Sequence, residues 1–250
     1  MNRILTFPDV DALSEALCND FEDYILELGM SQARINLALS GGNTPRAFFQ
    51  KLAGSHAQDN KKSYWEKIHI FWVDERCVSP DHPDSNYGMT RKYLLRPVGF
   101  EENNIHRIRG ENDPQLECIR YMDEIKGNIP FRNGFPVFDW TFLGAGEDGH
   151  TASIFPDRPD LIHHDDVCAV VKHPFTGQYR ITLTGNVLAN ARRLTFLVTG
   201  ASKCNIITKI LNKDQTAEKY PAAAIIPVSG TIEWYLDKAA ACGIKKTGHG

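Results

Sequence analysis

Closely spaced cysteines, an excess of charge of one sign and long apolar runs are all missing from this 250-residue chain. Its six cysteines (Cys18, Cys77, Cys118, Cys168, Cys204 and Cys242) are scattered with no C-x-x-C pair. They read as reduced core or surface thiols and not as a disulfide framework. A formal net charge of −3 excludes a general nucleic-acid binder, whose domain is strongly basic, and leaves room only for a local basic pocket. No apolar stretch approaches the roughly 20 residues of a membrane span. The opening "MNRILTFPDVDALSEAL" carries acids where a secretory signal has its apolar run. The expected compartment is the cytoplasm, with neither membrane nor nucleic acid as a partner. What remains, 42% hydrophobic and 24% charged residues, is an ordinary globular composition, in a chain long enough to bury a core without cross-links.

There is no internal repeat. Strand-like and helix-like segments alternate, which implies one α/β domain over residues 1–250 with a Rossmann-like, mostly parallel sheet and helices on both faces. Strands are expected at "ILTF", "RINLALS", "KIHIFWVDE", "NIHRI", "FDWTFLG", "VCAVVK", "YRITLTG", "LTFLVTG" and "AAAII". Helices are expected after the capping Asp9, from "GGNTP" to a stop near Gly54, and from the cap Ser85 to Leu95. Others follow from the cap Asp113 to Gly127, at "NVLANAR", at "SKCNIITKILN" and at "TIEWYLDKAAAC". The tail, 245–250, reads as flexible.

In such sheets ligands bind at the carboxyl ends of strands, so polar residues just beyond a strand are the candidates. "LALSGGNTP" ends a strand at Ser40, follows it with Gly41 and Gly42, and opens a helix with Thr44 as the expected cap. Glycines let backbone approach a ligand, and free N–H groups at a helix start attract phosphate. A plain strand-to-helix turn has the same pattern, and no Walker lysine follows. "FWVDERC" places Asp74, Glu75 and Arg76 after an apolar run. Alternation puts Asp74 and Arg76 on one side, where an arginine suits phosphate and an aspartate suits a sugar hydroxyl or a water. A surface salt bridge is the plainer alternative. Arg180, at a strand start, and Lys203, beyond a strand end, have no spacing that links them to the rest.

"FLGAGEDGHTASIFP" spells G-x-G-x-x-G through Gly144, Gly146 and Gly149. Its context defeats a dinucleotide reading. Pro156 interrupts any following helix, Asp148 would repel a pyrophosphate, and no acid closes a next strand about 20 residues on. What stands out instead is His150, an imidazole suited to general-base work, two residues from the carboxylate of Asp148. The polar run His163, His164, Asp165 and Asp166 has no metal-ligand spacing, so no metal and no cofactor is expected.

Taken together, "SGGNTP", "DERCVSPDHPDSNY", "LGAGEDGHTASIFP" and "RITLT" with "GASK" resemble the 6-phosphogluconolactonase family, in the family's order, from Leu37 to Lys203. The resemblance implies a Rossmann-like fold and metal-free hydrolysis of 6-phosphoglucono-δ-lactone in the pentose phosphate pathway. It implies His150 as general base, Asp148 as the holder of its loop or ring, and the backbone of Gly41 and Gly42 with Ser40 and Thr44 as a phosphate site. Asp74, Arg76, Arg180 and Lys203 complete the implied substrate contacts. Glucosamine-6-phosphate deaminase/isomerase shares the D-G-H core but looks for an acid five positions after the histidine, where this chain has Phe155, and a tyrosine at the place of Arg76.

Overall fold

The computed structural model describes residues 2–58 and 65–245; the expected flexible tail therefore lies, beyond Lys245, outside the described residues. A seven-stranded sheet carries the architecture, in the order β1-β12-β11-β8-β2-β3-β5. Its strands are β1 (Asn2–Phe7), β2 (Ile35–Leu39), β3 (Ile68–Trp72), β5 (Ile105–His106), β8 (Trp140–Leu143), β11 (Arg193–Val198) and β12 (Thr231–Asp237). Every neighbouring pair is parallel. The central strands read as unbroken apolar runs because helices and loops bury both of their faces; β2 is buried at all its positions.

The chain builds outward from β2 through β3 to β5, then returns to lay β8 against the other side of β2 and continues through β11 to β12. The order of strands thus reverses between β2 and β8, held together by the pairs Leu37–Trp140 and Ala38–Thr141. Connections leaving two adjacent parallel strands in opposite directions open a crevice at their carboxyl ends. The two most informative motifs, after Leu39 and after Leu143, both leave from this point.

Helix α1 (Val10–Ser31) begins where the Asp9 side chain accepts from the N–H groups of Asp11 and Ala12. It packs against α2 (Asn43–Gln58), burying Leu13, Leu17, Phe21 and Ile25 at helical spacing. The Ser85 hydroxyl caps α3 (Asn86–Thr90), which continues through a π turn at Arg91–Leu95. Asp113 and Pro114 start α4 (Pro114–Asn128). Shorter helices are α5 (Gly185–Ala189), α6 (Cys204–Leu211) and α7 (Pro221–Ala224).

Several expectations are corrected. "KIHIFWVDE" is not one strand: at Val73 the chain leaves β3 and enters β4 (Asp74–Arg76), in a separate antiparallel sheet with β10 (Tyr179–Leu183) and β9 (Cys168–Lys172). Val73 is the pivot, donating its N–H to Leu39 and accepting from the N–H of Leu183. "AAAII" is helical in its first part, since Pro221 presets a helical φ at the first turn and alanines extend it. "TIEWYLD" is a strand, inserted between β1 and β11, so that its apolar run is covered on both sides. Gly54 does not end α2, which runs four residues further to Gln58; a mid-helix glycine costs only about 1 kcal/mol. A short hairpin of β6 (Phe131–Arg132) and β7 (Phe135–Pro136) precedes β8.

The cysteines too depart from expectation. Cys204, at the start of α6, and Cys242, in the turns after β12, form a disulfide with Cα atoms 5.7 Å apart. Thirty-eight residues separate them in sequence, so their meeting is decided by how α6 packs beside the C-terminal turns. Cys18, Cys77, Cys118 and Cys168 are free.

Candidate active site

A cleft of about 490 Å³ lies at the reversal of strand order. Ser40, Gly41, Gly42 and Thr44 line it from the β2 side, His150 from the β8 side, Asp74, Arg76 and Arg180 from the small sheet, and Lys203 from beyond β11. Nine residues singled out in five separate stretches therefore share one wall-to-wall space. The tenth, Asp148, stands behind His150.

The β2 turn is shaped by contact. A Cβ added to Gly41 would fall 1.7 Å from Asn86 Oδ1, and Gly42 adopts φ 110°. Any other residue at Gly41 would collide with the buried Asn86. Helix α2 starts at Asn43, two residues earlier than the Pro45 expected after a Thr44 cap, so Thr44 lies inside the first turn and is not the cap. Its hydroxyl instead pairs with that of Thr199 at 2.7 Å. The first turn of α2 opens toward the cleft, where unpaired N–H groups and the helix dipole favour an anion.

The β8 turn brings His150 to the cleft. No helix follows β8; the chain makes turns and a bridge between Thr151 and Ile154, so the helix that a dinucleotide fingerprint requires is missing here. His150 Nδ1 is 2.6 Å from Asp148 Oδ1, which also accepts the His150 backbone N–H at 3.1 Å. Burial acts to raise the pKa of Asp148, but its hydrogen bonds to His150 and the histidine's charge outweigh this and hold it down to about 2. An ionised carboxylate only accepts, so Nδ1 carries the hydrogen and the lone pair of neutral His150 resides on Nε2. Gly146 and Gly149 let the loop close. A Cβ on Gly146 would lie 2.2 Å from His150 Nδ1, and one on Gly149, at φ 87°, would lie 2.5 Å from the Tyr220 ring.

The small sheet supplies the charge. Register places Arg180 directly opposite Arg76 and Thr182 opposite Asp74, so these four side chains share one face. Like charges directly opposite each other are destabilising. Neither guanidinium has a carboxylate partner among the described residues, and each has a buried Nε–H without an acceptor. Burial first, and the charge of Arg76 next, lower the pKa of Arg180. Lys203 likewise belongs to no ion pair among the described residues. Glu75 points away from the cleft and accepts from Ser85 Oγ and from the N–H groups of Arg76, Asn86 and Tyr87. It thereby fixes the start of α3. Burial pushes its pKa up to about 7 against the pull of those backbone donors.

Sequence reasoning missed Asn86, Ser153 and Thr199. Asn86 donates to the carbonyl and to Oδ1 of Asp74, and Ser153 donates to Asp74 Oδ2 at 2.6 Å. Both lie within recognisable motifs, yet small polar residues carry no periodic or charge signal; Thr199 has only its place just beyond β11 to mark it. The exposed His163 and the Asp166-bonded His164 lie outside the cleft. Among the described residues no group of three His, Cys, Asp or Glu could hold a metal ion.

Residues 8–234 match the model of the glucosamine-6-phosphate isomerases/6-phosphogluconolactonase family, and the chain belongs to this family. A 6-phosphogluconolactonase of Haemophilus influenzae is 40% identical over 96% of this chain and 98% of its own. The crystal structure of a devB protein superposes with a TM-score of 0.89 at 40% identity, covering 98% of this chain and all of that one. The crystal structure of 6-phosphogluconolactonase from Thermotoga maritima does so with a TM-score of 0.81 at 26% identity, covering 95% and 100%. The chain thus sits on the side of the family whose members bear the lactonase name.

Proposed function

We propose that this chain hydrolyses 6-phosphoglucono-δ-lactone to 6-phosphogluconate, in the pentose phosphate pathway of the cytoplasm, with His150 as general base and without a metal. The observation that carries this reading is the cross-strand Arg76–Arg180 couple, without a carboxylate partner among the described residues, facing the same cleft as His150. Two half-buried cations side by side are tolerable where an anionic substrate joins them, and a sugar phosphate supplies that anion at a distance from its reacting carbonyl.

Neutral His150 takes a proton at Nε2 from a water molecule, whose oxygen attacks the lactone carbonyl carbon. Asp148 stabilises the imidazolium that forms and keeps the ring from turning. The carbonyl oxygen becomes an oxyanion within the cationic field of the cleft. The tetrahedral intermediate then collapses, the bond to the ring oxygen breaks, and His150 returns its proton to that oxygen. The product is an open-chain acid that ionises on release. The first turn of α2 with Gly41, Gly42, Ser40 and Thr44, together with Arg76, Arg180 and Lys203, receives the phosphate, and Asp74 accepts from a sugar hydroxyl. The chemistry requires one base and a stabilised oxyanion, which the chain's own side chains supply.

Amino-sugar phosphate isomerisation is disfavoured by Phe155. The position that would carry an acid holds a fully buried phenyl ring, 5.1 Å between centroids from the His150 imidazole, and it cannot shuttle a proton. The test is acid release from freshly generated 6-phosphogluconolactone, corrected for spontaneous hydrolysis. Turnover by the native chain and its loss in His150→Ala are expected; an unchanged kcat in that variant, or ammonia release from glucosamine 6-phosphate, overturns the reading.

A further inference from the structure

We propose that Ser153 is a positioning residue: its hydroxyl, set between the Asp74 carboxylate and the Arg180 guanidinium, keeps the two from closing into an ion pair and so leaves the charge of Arg180 to an anionic ligand in the cleft. The identity of that anion rests on the function proposed above; the geometry does not.

Ser153 is 0% exposed, three residues beyond His150. The turn that holds it is costly to make. Ala152 lies in the left-handed region at φ 49°, where a side chain is disfavoured, and the bridge between Thr151 and Ile154 closes around it. The Ser153 N–H is fixed by Thr182 Oγ1 at 3.1 Å. Its hydroxyl has one proton, which goes to Asp74 Oδ2 at 2.6 Å, and its lone pairs face Arg180 Nη1 at 3.4 Å. The other oxygen of Asp74 accepts from Asn86 Nδ2 at 3.1 Å. Two neutral donors therefore orient this carboxylate, although an unpaired guanidinium projects from the same face of the small sheet.

A buried carboxylate and a half-buried guanidinium this near attract each other more strongly than in water, and among the described residues Asp74 and Arg180 form no ion pair. One hydroxyl stands between them. Without it, Asp74 Oδ2 loses its short donor, and the guanidinium already facing the vacated position replaces it. Arg180 would then be neutralised internally and withdrawn from the cleft. A serine whose only role is to fill space makes no such prediction about charge.

A double-mutant cycle on the full-length chain separates these cases. Native protein, Ser153→Ala, Asp74→Asn and the double variant are titrated calorimetrically with 6-phosphogluconate and, separately, with inorganic phosphate. Ser153→Ala is expected to weaken anion binding about tenfold, and to raise KM with kcat changed less than about threefold. In the Asp74→Asn background, where the carboxylate next to the Ser153 hydroxyl is gone, the same substitution is expected to change affinity by less than about twofold. Equal losses in the two backgrounds, no loss in either, or a loss confined to kcat would overturn the proposal. Should Ser153→Ala fail to fold, Ser153→Cys, of similar size with a weak donor, carries the same cycle with a smaller expected loss. A native chain that binds both anions but does not open the lactone sinks the function and leaves the cycle readable; one that binds neither anion sinks the spacer role as well.

Discussion

The imidazole of His150 is held in place by two glycines and one carboxylate. Gly146 leaves room for the ring, Gly149 lets the loop close onto Tyr220, and Asp148 sets the tautomer. Of the three glycines in the G-x-G-x-x-G string, Gly144 has nothing within 4 Å of an added Cβ, whereas Gly146 and Gly149 have ring atoms of His150 and Tyr220 at 2.2 Å and 2.5 Å. A dinucleotide turn would depend on its first glycine; this loop does not. Gly144→Ala is therefore expected to retain turnover within about twofold, while Gly146→Ala and Gly149→Ala are expected to lose at least about tenfold through displacement of His150, the proposed base. Gly149→Ala also pays for its φ of 87°, by about 1–2 kcal/mol of stability, readable as a lower urea midpoint. His150→Ala is expected to lower kcat by about 10²–10⁴ with product affinity nearly unchanged, and Asp148→Asn to lower kcat while leaving phosphate binding intact.

At the scale of elements, the small antiparallel sheet is the decisive addition to an otherwise regular parallel fold. Val73 ends β3, and within three residues the chain has turned Asp74 and Arg76 into a second sheet where β10 meets them with Arg180. Tyr121 of α4 secures that exit, its hydroxyl donating to the Trp72 carbonyl at 2.8 Å and accepting from the Trp72 N–H at 3.0 Å. A second internal device binds β11 to β12. Arg193 lies 3.8 Å above the Trp140 ring and bonds Glu233 from Nε at 2.8 Å and from Nη2 at 2.6 Å, with Asp20 as a further partner. Removing Glu233 takes the Nε and Nη2 bonds from Arg193 and the partner from Arg3, while Asp20 still faces Arg193. Glu233→Ala is expected to cost about 2 kcal/mol in chemical denaturation, the scale of a lost hydrogen bond to a charged group, with little change in KM because the group lies outside the cleft. The same strand, β12, is where periodicity misled. Ile232, Tyr235 and Leu236 followed by alanines fit a helical stripe, but a strand covered on both faces presents a similar unbroken run. Only its insertion between β1 and β11 separates the two.

For the molecule as a whole, the reversal of strand order between β2 and β8 concentrates the polar strand ends at one crevice. The distant edge of the sheet carries a different kind of polar group. His106 Nε2 lies 3.0 Å from His69 Nδ1 and 3.1 Å from the guanidinium of Arg34, while its Nδ1 lies 2.5 Å from Glu124. Burial, then Arg34 and His106, lower the pKa of His69 to about 4, and burial also lowers that of His106 against the opposing bond to Glu124. A histidine whose folded pKa lies below its unfolded value near 6.5 favours the folded state above that pH. The contribution is lost as pH falls from about 6.5 toward 4. Urea midpoints are expected to drop over this window, and His69→Gln to flatten the drop by about 1 kcal/mol once solvent screening is allowed for; a slope identical to the native one argues against this source.

Much of this molecule was legible in its residues. Alternating elements specified a parallel α/β sheet, the caps at Asp9, Ser85 and Asp113 marked helix starts, and the strand-end rule selected the Ser40–Thr44 turn, Asp74, Arg76 and His150, while Arg180 and Lys203 entered only through the family resemblance. These are local properties, set by backbone sterics, hydrogen-bond capping and apolar period, and a chain displays them before it folds. Tertiary structure alone decided which strand ends meet, that "DER" leaves the main sheet, that Arg180 faces Arg76, that Ser153 reaches Asp74, and that Cys204 finds Cys242. Each of these joins residues tens of positions apart through strand register and packing, and the free energy of such a contact exists only once the whole sheet has closed around it.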